Sequence, residues 1–402
     1  MKKKLVGILL CLSLTTALLA GCGSTETTTE TTEASTETTE TAETAEVGEE
    51  DNVIKVGLIA PITGGYAVYG EAGQNSVMMA VEEINAMGGV QIEILNDGKA
   101  VDDAGDSKQA VNAYNSLSAE NPEIYCGSFS SSCSIPMAEL AQAEGKVLIS
   151  PTATNYKLTL VGDYIFRACF IDPYQGKMAA KFAGEQGYTK AAVIYAKDDD
   201  YSNGLKDAFV ENAEANGIEI VYTGECTTKD TDYTAQVSQA VASGADFLFY
   251  PCFLDTVPLL VQQARDAGFE GAIMGGDGWD GSNTTGLEAQ FENTYFTNHY
   301  SSEDTAEEVQ AYVTKYTEKY GTESLNAIGA CYYDAIYMIK AAAEKSGATD
   351  TEALKAGMTG LTFTGVTGTF TLDSNGDPEK NIVINTFKNG VVSWVTTLTP
   401  EE

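Results

Sequence analysis

The chain has 402 residues, with 58 Asp and Glu against 23 Lys and Arg, a formal net charge of −35, 43% hydrophobic residues and one histidine. So acidic a balance argues against nucleic acid and anionic membrane surfaces as partners, because both are held by basic patches. The length is too great for a single core and predicts a split into two lobes.

The chain opens with Lys2, Lys3 and Lys4, an apolar run over 5–19, and then Leu19-Ala20-Gly21-Cys22. This pattern reads as an export signal and resembles the bacterial lipobox, which implies removal of the first 21 residues and diacylation of Cys22. The apolar run is too short to serve as a spanning helix, and no later stretch approaches the roughly 18 apolar residues that one needs. The expectation is an extracytoplasmic protein tethered to the cell membrane by lipid. Residues 23–52 are nearly all Thr, Glu, Ala and Ser, a composition that cannot bury enough apolar surface to offset ordering, and they read as a spacer.

From residue 53 onward, short β-rich runs alternate with amphipathic segments of helical length. Strands are expected at 54–61, 91–96, 123–129, 147–151, 164–170, 191–196, 218–223, 247–252 and 272–276. Helices are expected at 72–86, 107–117, 136–144, 175–185, 204–215, 234–242 and 257–267, then a helix-rich stretch over 303–345 and a β-rich end over 362–372 and 382–398. Such alternation builds parallel sheets covered by helices on both faces. The predicted class is α/β, two doubly wound parallel-sheet lobes joined by a three-segment hinge. Lobe 1 takes 53–172 and 300–379, and lobe 2 takes 173–299 and 380–402.

Open parallel sheets bind ligands beyond the carboxyl ends of their strands, where helix N-termini present free N–H groups. Those positions hold a glycine-bearing loop over 63–70 with Tyr69, a hydroxyl cluster over 130–134 with Ser131, and Thr152, Ala153 and Thr154. The second half adds Tyr201 after three aspartates, Phe253, and Asp277 followed by Trp279. Hydroxyls and helix-end amides suit an anion, and a lone carboxylate suits a cation, so together they suit a zwitterion. Ser131 and Thr154 are candidate donors to a carboxylate and Asp277 a candidate partner for an ammonium, with Tyr69, Tyr201, Phe253 and Trp279 as aromatic walls. Each has a plainer reading: serines before a helix serve as N-caps, and threonines and a glycine-flanked aspartate serve in turns.

The segments IKVGLIAPITGGYAVYGEAGQNSVMMAVEEINAMGGV, GSFSSSCSIPMAEL followed by ISPTATNYKLT, AKDDDYSNGLKDAF and IMGGDGW resemble type I periplasmic binding proteins of the branched-chain amino-acid transport class, over about 54–398. The resemblance implies that Ser131 and Thr154 bind the ligand carboxylate with backbone help near Thr152, that Asp277 takes the α-ammonium, and that Tyr201 closes over the ligand. It places Tyr69 and Phe253 as contact aromatics and Ile328 near an apolar wall. It also implies an ABC permease as partner. A disulfide found in some relatives is absent, since Gly105 and Ser130 stand at its positions, and Asp277 is shorter than the Glu of some relatives, which leaves the side-chain preference open.

An enzyme is not expected. His299 is the only histidine and reads as a structural or surface residue at a lobe crossing, the serine cluster lacks a GxSxG elbow, and no phosphate-binding glycine motif is present. No cofactor or metal is expected: the body cysteines lack CxxC spacing and read mostly as free buried thiols. The expected molecule is a monomeric solute receptor that delivers an amino acid to a permease. The alternative is a sensor that presents amino acids, amides or other small polar solutes to a signalling partner.

Overall fold

The computed structural model describes residues 52–400. The expected export signal, the lipid site at Cys22 and all but the last residue of the spacer lie outside the described residues.

Chain order in the first part is β1 (Val53–Ala60), α1 (Ala67–Met87), β2 (Gln91–Ile94), a single turn α2 (Leu95–Gly98), β3 (Val101–Asp102), α3 (Ser107–Ser118), β4 (Ile124–Cys126), α4 (Ser131–Glu144), β5 (Val147–Ser150) and β6 (Ile165–Arg167). These strands form one sheet in the order β2-β1-β4-β5-β6, with β3 beside the end of β1, and every pairing is parallel. Next come α5 (Asp172–Glu185), β7 (Lys190–Ala196), α6 (Asp200–Ala213), β8 (Glu219–Cys226), α7 (Thr234–Ala242), β9 (Phe247–Phe249), α8 (Val257–Asp266), β10 (Ala272–Gly275) and β11 (Thr294–Asn298). The chain ends with α9 (Glu307–Tyr320), α10 (Ala327–Ser346), α11 (Thr351–Met358), the hairpin β12 (Thr362–Gly365) and β13 (Gly368–Thr371), then β14 (Ile382–Lys388) and β15 (Val391–Leu398). The second sheet runs β15-β14-β11-β10-β9-β7-β8. It is parallel through β11, with β14 and β15 added antiparallel at one edge.

Both faces of each sheet are covered, and the strands show it by alternation. In β5, Val147 and Ile149 face the side that holds Val77 and Ile336, while Leu148 faces Tyr114 and Met137 of α3 and α4. In β9, Phe247 and Phe249 face Phe209 of α6, while Leu248 faces Val237 and Leu260 of α7 and α8. Helix starts are fixed by local capping: Asp106 accepts from Lys108 N and Gln109 N, Ser130 from Cys133 N, Asp199 from Ser202 N, and Asn326 from Gly329 N.

Four helices begin earlier than the sequence suggests, α5 at Asp172 rather than 175 and three others, and each shift bears on the site. Helix α1 starts at Ala67, so Tyr69 and Gly70 are helical rather than part of a loop. Gly70 allows this, because a Cβ there would stand 2.2 Å from the Pro61 carbonyl oxygen. Helix α4 starts at Ser131, with Ser130 as its cap, and runs on through Pro136. Helix α6 starts at Asp200, which puts Tyr201 in its first turn. The elements α2, β3, β11 and α11 are not expected as such: the strand expected over 91–96 stops at Ile94 because Asn96, Asp97 and Gly98 turn at positive φ, and β11 reads Thr-Tyr-Phe-Thr-Asn, too polar and short to stand out beside its apolar neighbours.

Candidate functional site

The loops after β4 and β5 face the loops after β7, β9 and β10. Between them lies a cavity lined by Phe129, Ser131, Thr152, Tyr201, Phe253, Asp277, Gly278 and Ile328, with Ser130 at its edge. Its volume is about 10 Å³, room for one water, so the two sides are closed on each other.

On the first side, Ser131 opens α4, and its hydroxyl oxygen accepts from Asn155 N at 3.1 Å. That leaves the hydroxyl proton for another acceptor. The plain N-cap role falls to Ser130. Thr152 donates its hydroxyl to Phe129 O at 2.8 Å. Thr154 is fully buried, and its hydroxyl oxygen has no partner at normal geometry. The backbone of Ala153 is occupied, its carbonyl by Arg167 Nη1 at 2.6 Å and its N–H by Ser150 Oγ at 3.1 Å. Arg167 also donates to Asn155 O and Thr159 Oγ1 and pairs with Asp377 at 2.6 Å, so one buried guanidinium fixes the whole 153–155 turn.

The second side presents carboxylates. Asp277 accepts from Gln175 Nε2 at 2.8 Å on one oxygen, and its other oxygen meets His299 Nε2 at 3.1 Å. Each oxygen of a carboxylate has a second lone pair, so Asp277 is oriented by these neighbours with accepting capacity to spare. Burial pushes the His299 imidazole below its ordinary value, against the pull of Asp277, and in the tautomer with its proton on Nε2 the ring donates to that carboxylate. Its ring stacks on Phe170 at 4.0 Å. Asp172 opens α5 where the two sides join, its N–H donating to Thr154 O at 2.8 Å, and its carboxyl is fully buried beside the Thr154 hydroxyl. Burial pushes its carboxyl well above the carboxylate range, with the nearby Thr154 hydroxyl opposing and Asp277 adding to the rise. Helix α6 passes close over it because residue 204 is glycine: a Cβ there would stand 2.6 Å from Asp172 Oδ2.

Aromatic rings enclose the remainder. Phe129 packs at 5.0 Å from Tyr66, 5.4 Å from Tyr69 and 5.4 Å from Phe253, and Tyr201 stacks on Phe253 at 4.7 Å. The Tyr69 hydroxyl donates to Gly278 O at 2.7 Å across the cleft.

Of the residues singled out from sequence, Ser131, Thr152, Tyr201, Phe253, Asp277 and Ile328 line the cavity, while Thr154 and Tyr69 stand immediately behind it. Ala153 is turned into the supporting turn. Trp279 does not join the set: its indole lies in the core beneath the second sheet and donates to Tyr250 O at 2.9 Å. Gly275 leaves the room for that ring, since a Cβ there would meet Trp279 Nε1 at 1.9 Å. His299 is not at the surface but 2% exposed and bonded to Asp277. Sequence reasoning missed Phe129, Tyr66, Asp172 and Gln175. The last two follow strand β6 at the start of a helix, the same strand-end position that marks the other candidates.

A family model described as periplasmic binding protein matches residues 53–390. A Leu/Ile/Val-binding protein homolog of Brucella melitensis is 30% identical over 334 residues, which cover 81% of this chain and 88% of the relative. Among solved structures, a leucine-binding protein of Thermotoga maritima superposes with a TM-score of 0.80 at 29% identity, covering 87% of this chain and 99% of the other. The branched-chain amino-acid transporter substrate-binding protein of Streptococcus pneumoniae, in complex with isoleucine, gives 0.79 at 27% identity, covering 87% of this chain and 100% of the other.

Proposed function

The chain belongs to the periplasmic binding protein family, in the branched-chain amino-acid class, and from that premise we propose that it captures an amino acid, branched-chain by preference, between two closing lobes and delivers it to an ABC permease. The lobes in this reading are 53–172 with 300–379 and 173–299 with 380–402. It is supported by the membership of β1–β6 in one sheet and of β7–β11 with β14 and β15 in the other. The Cys22 motif further supports an exported, lipid-anchored form.

The observation that carries the ligand class is Asp277, which lines the cavity together with the hydroxyl-bearing Ser131 and Thr152 of the other side. Gln175 and His299 orient this buried carboxylate and leave it accepting capacity, and an ammonium supplies the counter-charge it calls for. The Ser131 and Thr154 hydroxyls and the first amides of α4, which lack intrahelical acceptors, suit the carboxylate at the other end of the same molecule. The aromatic rings around Phe129 receive the apolar side chain.

Titration calorimetry with leucine, isoleucine and valine tests this. Asp277→Asn is expected to lose about 3 kcal/mol or more of binding free energy, over a hundredfold in affinity, because a buried ammonium loses its counter-charge. Unchanged affinity in that variant would remove Asp277 from the site.

A further inference from the structure

We infer that Ser132 and the first turn of α6 form a latch across the cleft, so that Ser132, without touching the ligand, sets how long the closed form lasts and holds Tyr201 in place. This rests on the two-lobe closure proposed above and names the pair that stabilises it. The Ser132 hydroxyl donates to Asp199 Oδ1 at 2.8 Å and accepts from Asp200 N at 2.9 Å. Both functions of one hydroxyl are thus spent on the opposite side of the cleft. Asp200 N is an early amide of α6 with no acceptor in its own helix, so a residue of the first sheet's side caps a helix of the second. The other Asp199 oxygen caps the same helix from within, accepting from Ser202 N at 2.8 Å. Beside them Asn155 Nδ2 donates to Asp200 O at 2.7 Å, a second bond across the cleft to the same turn.

The next residue is Tyr201, which lines the cavity and whose hydroxyl accepts from Gly278 N at 3.2 Å. The turn that carries the ring over the ligand is held from its own side by Asp199, Gly278 and Phe253, and gains the Ser132 and Asn155 bonds only when the two sides meet. Ser132 and Asp199 do not line the cavity, so their contribution is to closure. Asp199 is 6% exposed, and a carboxylate so buried depends on its donors. Opening the cleft returns Ser132, Asp199 and Asp200 N to water, which lowers the cost of opening when the serine is absent.

The test uses the exported chain and stopped-flow fluorescence with leucine, isoleucine and valine as probes. Ser132→Ala is expected to raise the dissociation rate roughly tenfold, with the association rate within about twofold and the melting temperature without amino acid unchanged; Ser132→Thr, which keeps the hydroxyl, restores slow dissociation. In parallel, spin labels placed one on each half report the closed population, which should fall in Ser132→Ala. Equal dissociation rates and equal distance distributions in wild type and Ser132→Ala would overturn the latch. A wild type that binds none of the three amino acids would instead overturn the ligand reading, and the distance measurement would still judge the latch.

Discussion

Burial makes ionising the Asp172 carboxyl in the fold costly, with only the Thr154 hydroxyl and the more distant Arg167 charge opposing the rise. Its folded value is raised, so the stability this group lends is complete below the ordinary carboxylate value and is lost as pH rises through the folded one. Wild type should therefore lose melting temperature relative to Asp172→Asn, which cannot ionise, as pH rises from about 4 and the folded carboxyl gives up its proton. A gap that stays the same across the pH range, measured by calorimetry, would reject a raised Asp172 carboxyl. At this scale the sequence was legible for position, since Ser131 and Asp277 are expected beyond strand ends and both line the cavity. It was not legible for His299, which is distant in sequence from Asp277 and joins it only because β11 lies beside β10. Trp279 misled for the converse reason: two residues beyond Asp277 the short helical turn carries the side chain to the opposite face, into the core.

Element boundaries decide which face a site residue presents, and α1 shows it. Its first turn lies against the end of β1 so closely that the Gly70 position has no room for a methyl group, and the obstructing atoms are backbone. Gly70→Ala is expected to cost about 1–3 kcal/mol, read as a lower denaturant midpoint with unchanged slope, and to weaken binding through the displaced Tyr69. A variant as stable as wild type would show that α1 can shift without loss. The alternation of strands and helices was legible because fully buried parallel strands read as continuous apolar runs, as in Phe247–Phe249 and Ile124–Cys126. Helix starts were not, because α1, α4 and α6 begin in glycine-, serine- and aspartate-rich stretches whose composition signals loop as strongly as cap.

For the whole molecule, the proposed crossings at 172/173, 299/300 and 379/380 pack side by side. His299 stacks on Phe170, and the buried Lys380 amine donates to Ala168 O at 3.0 Å and Thr367 Oγ1 at 2.6 Å. Asp377, just before the third crossing, holds Arg167 and through it the 153–155 turn. Cys169 and Cys331 are buried free thiols, as are Cys126, Cys133, Cys226 and Cys252, so no cross-link among the described residues restrains the two halves. Reducing agent is accordingly expected to leave the melting temperature unchanged; a drop would reveal a disulfide. With the crossings bundled and the halves otherwise joined by bonds such as Tyr69 to Gly278 and Asn155 to Asp200, the permitted motion is a bend about that bundle that breaks the cleft contacts and keeps each sheet intact. An amino acid that binds only the closed form then shifts the population by mass action. Small-angle scattering should show the radius of gyration fall on addition of leucine, isoleucine or valine, with a smaller fall in Ser132→Ala at equal subsaturating ligand. A radius indifferent to a ligand that calorimetry shows to be bound would mean that the halves are fixed and the cleft fills without closing.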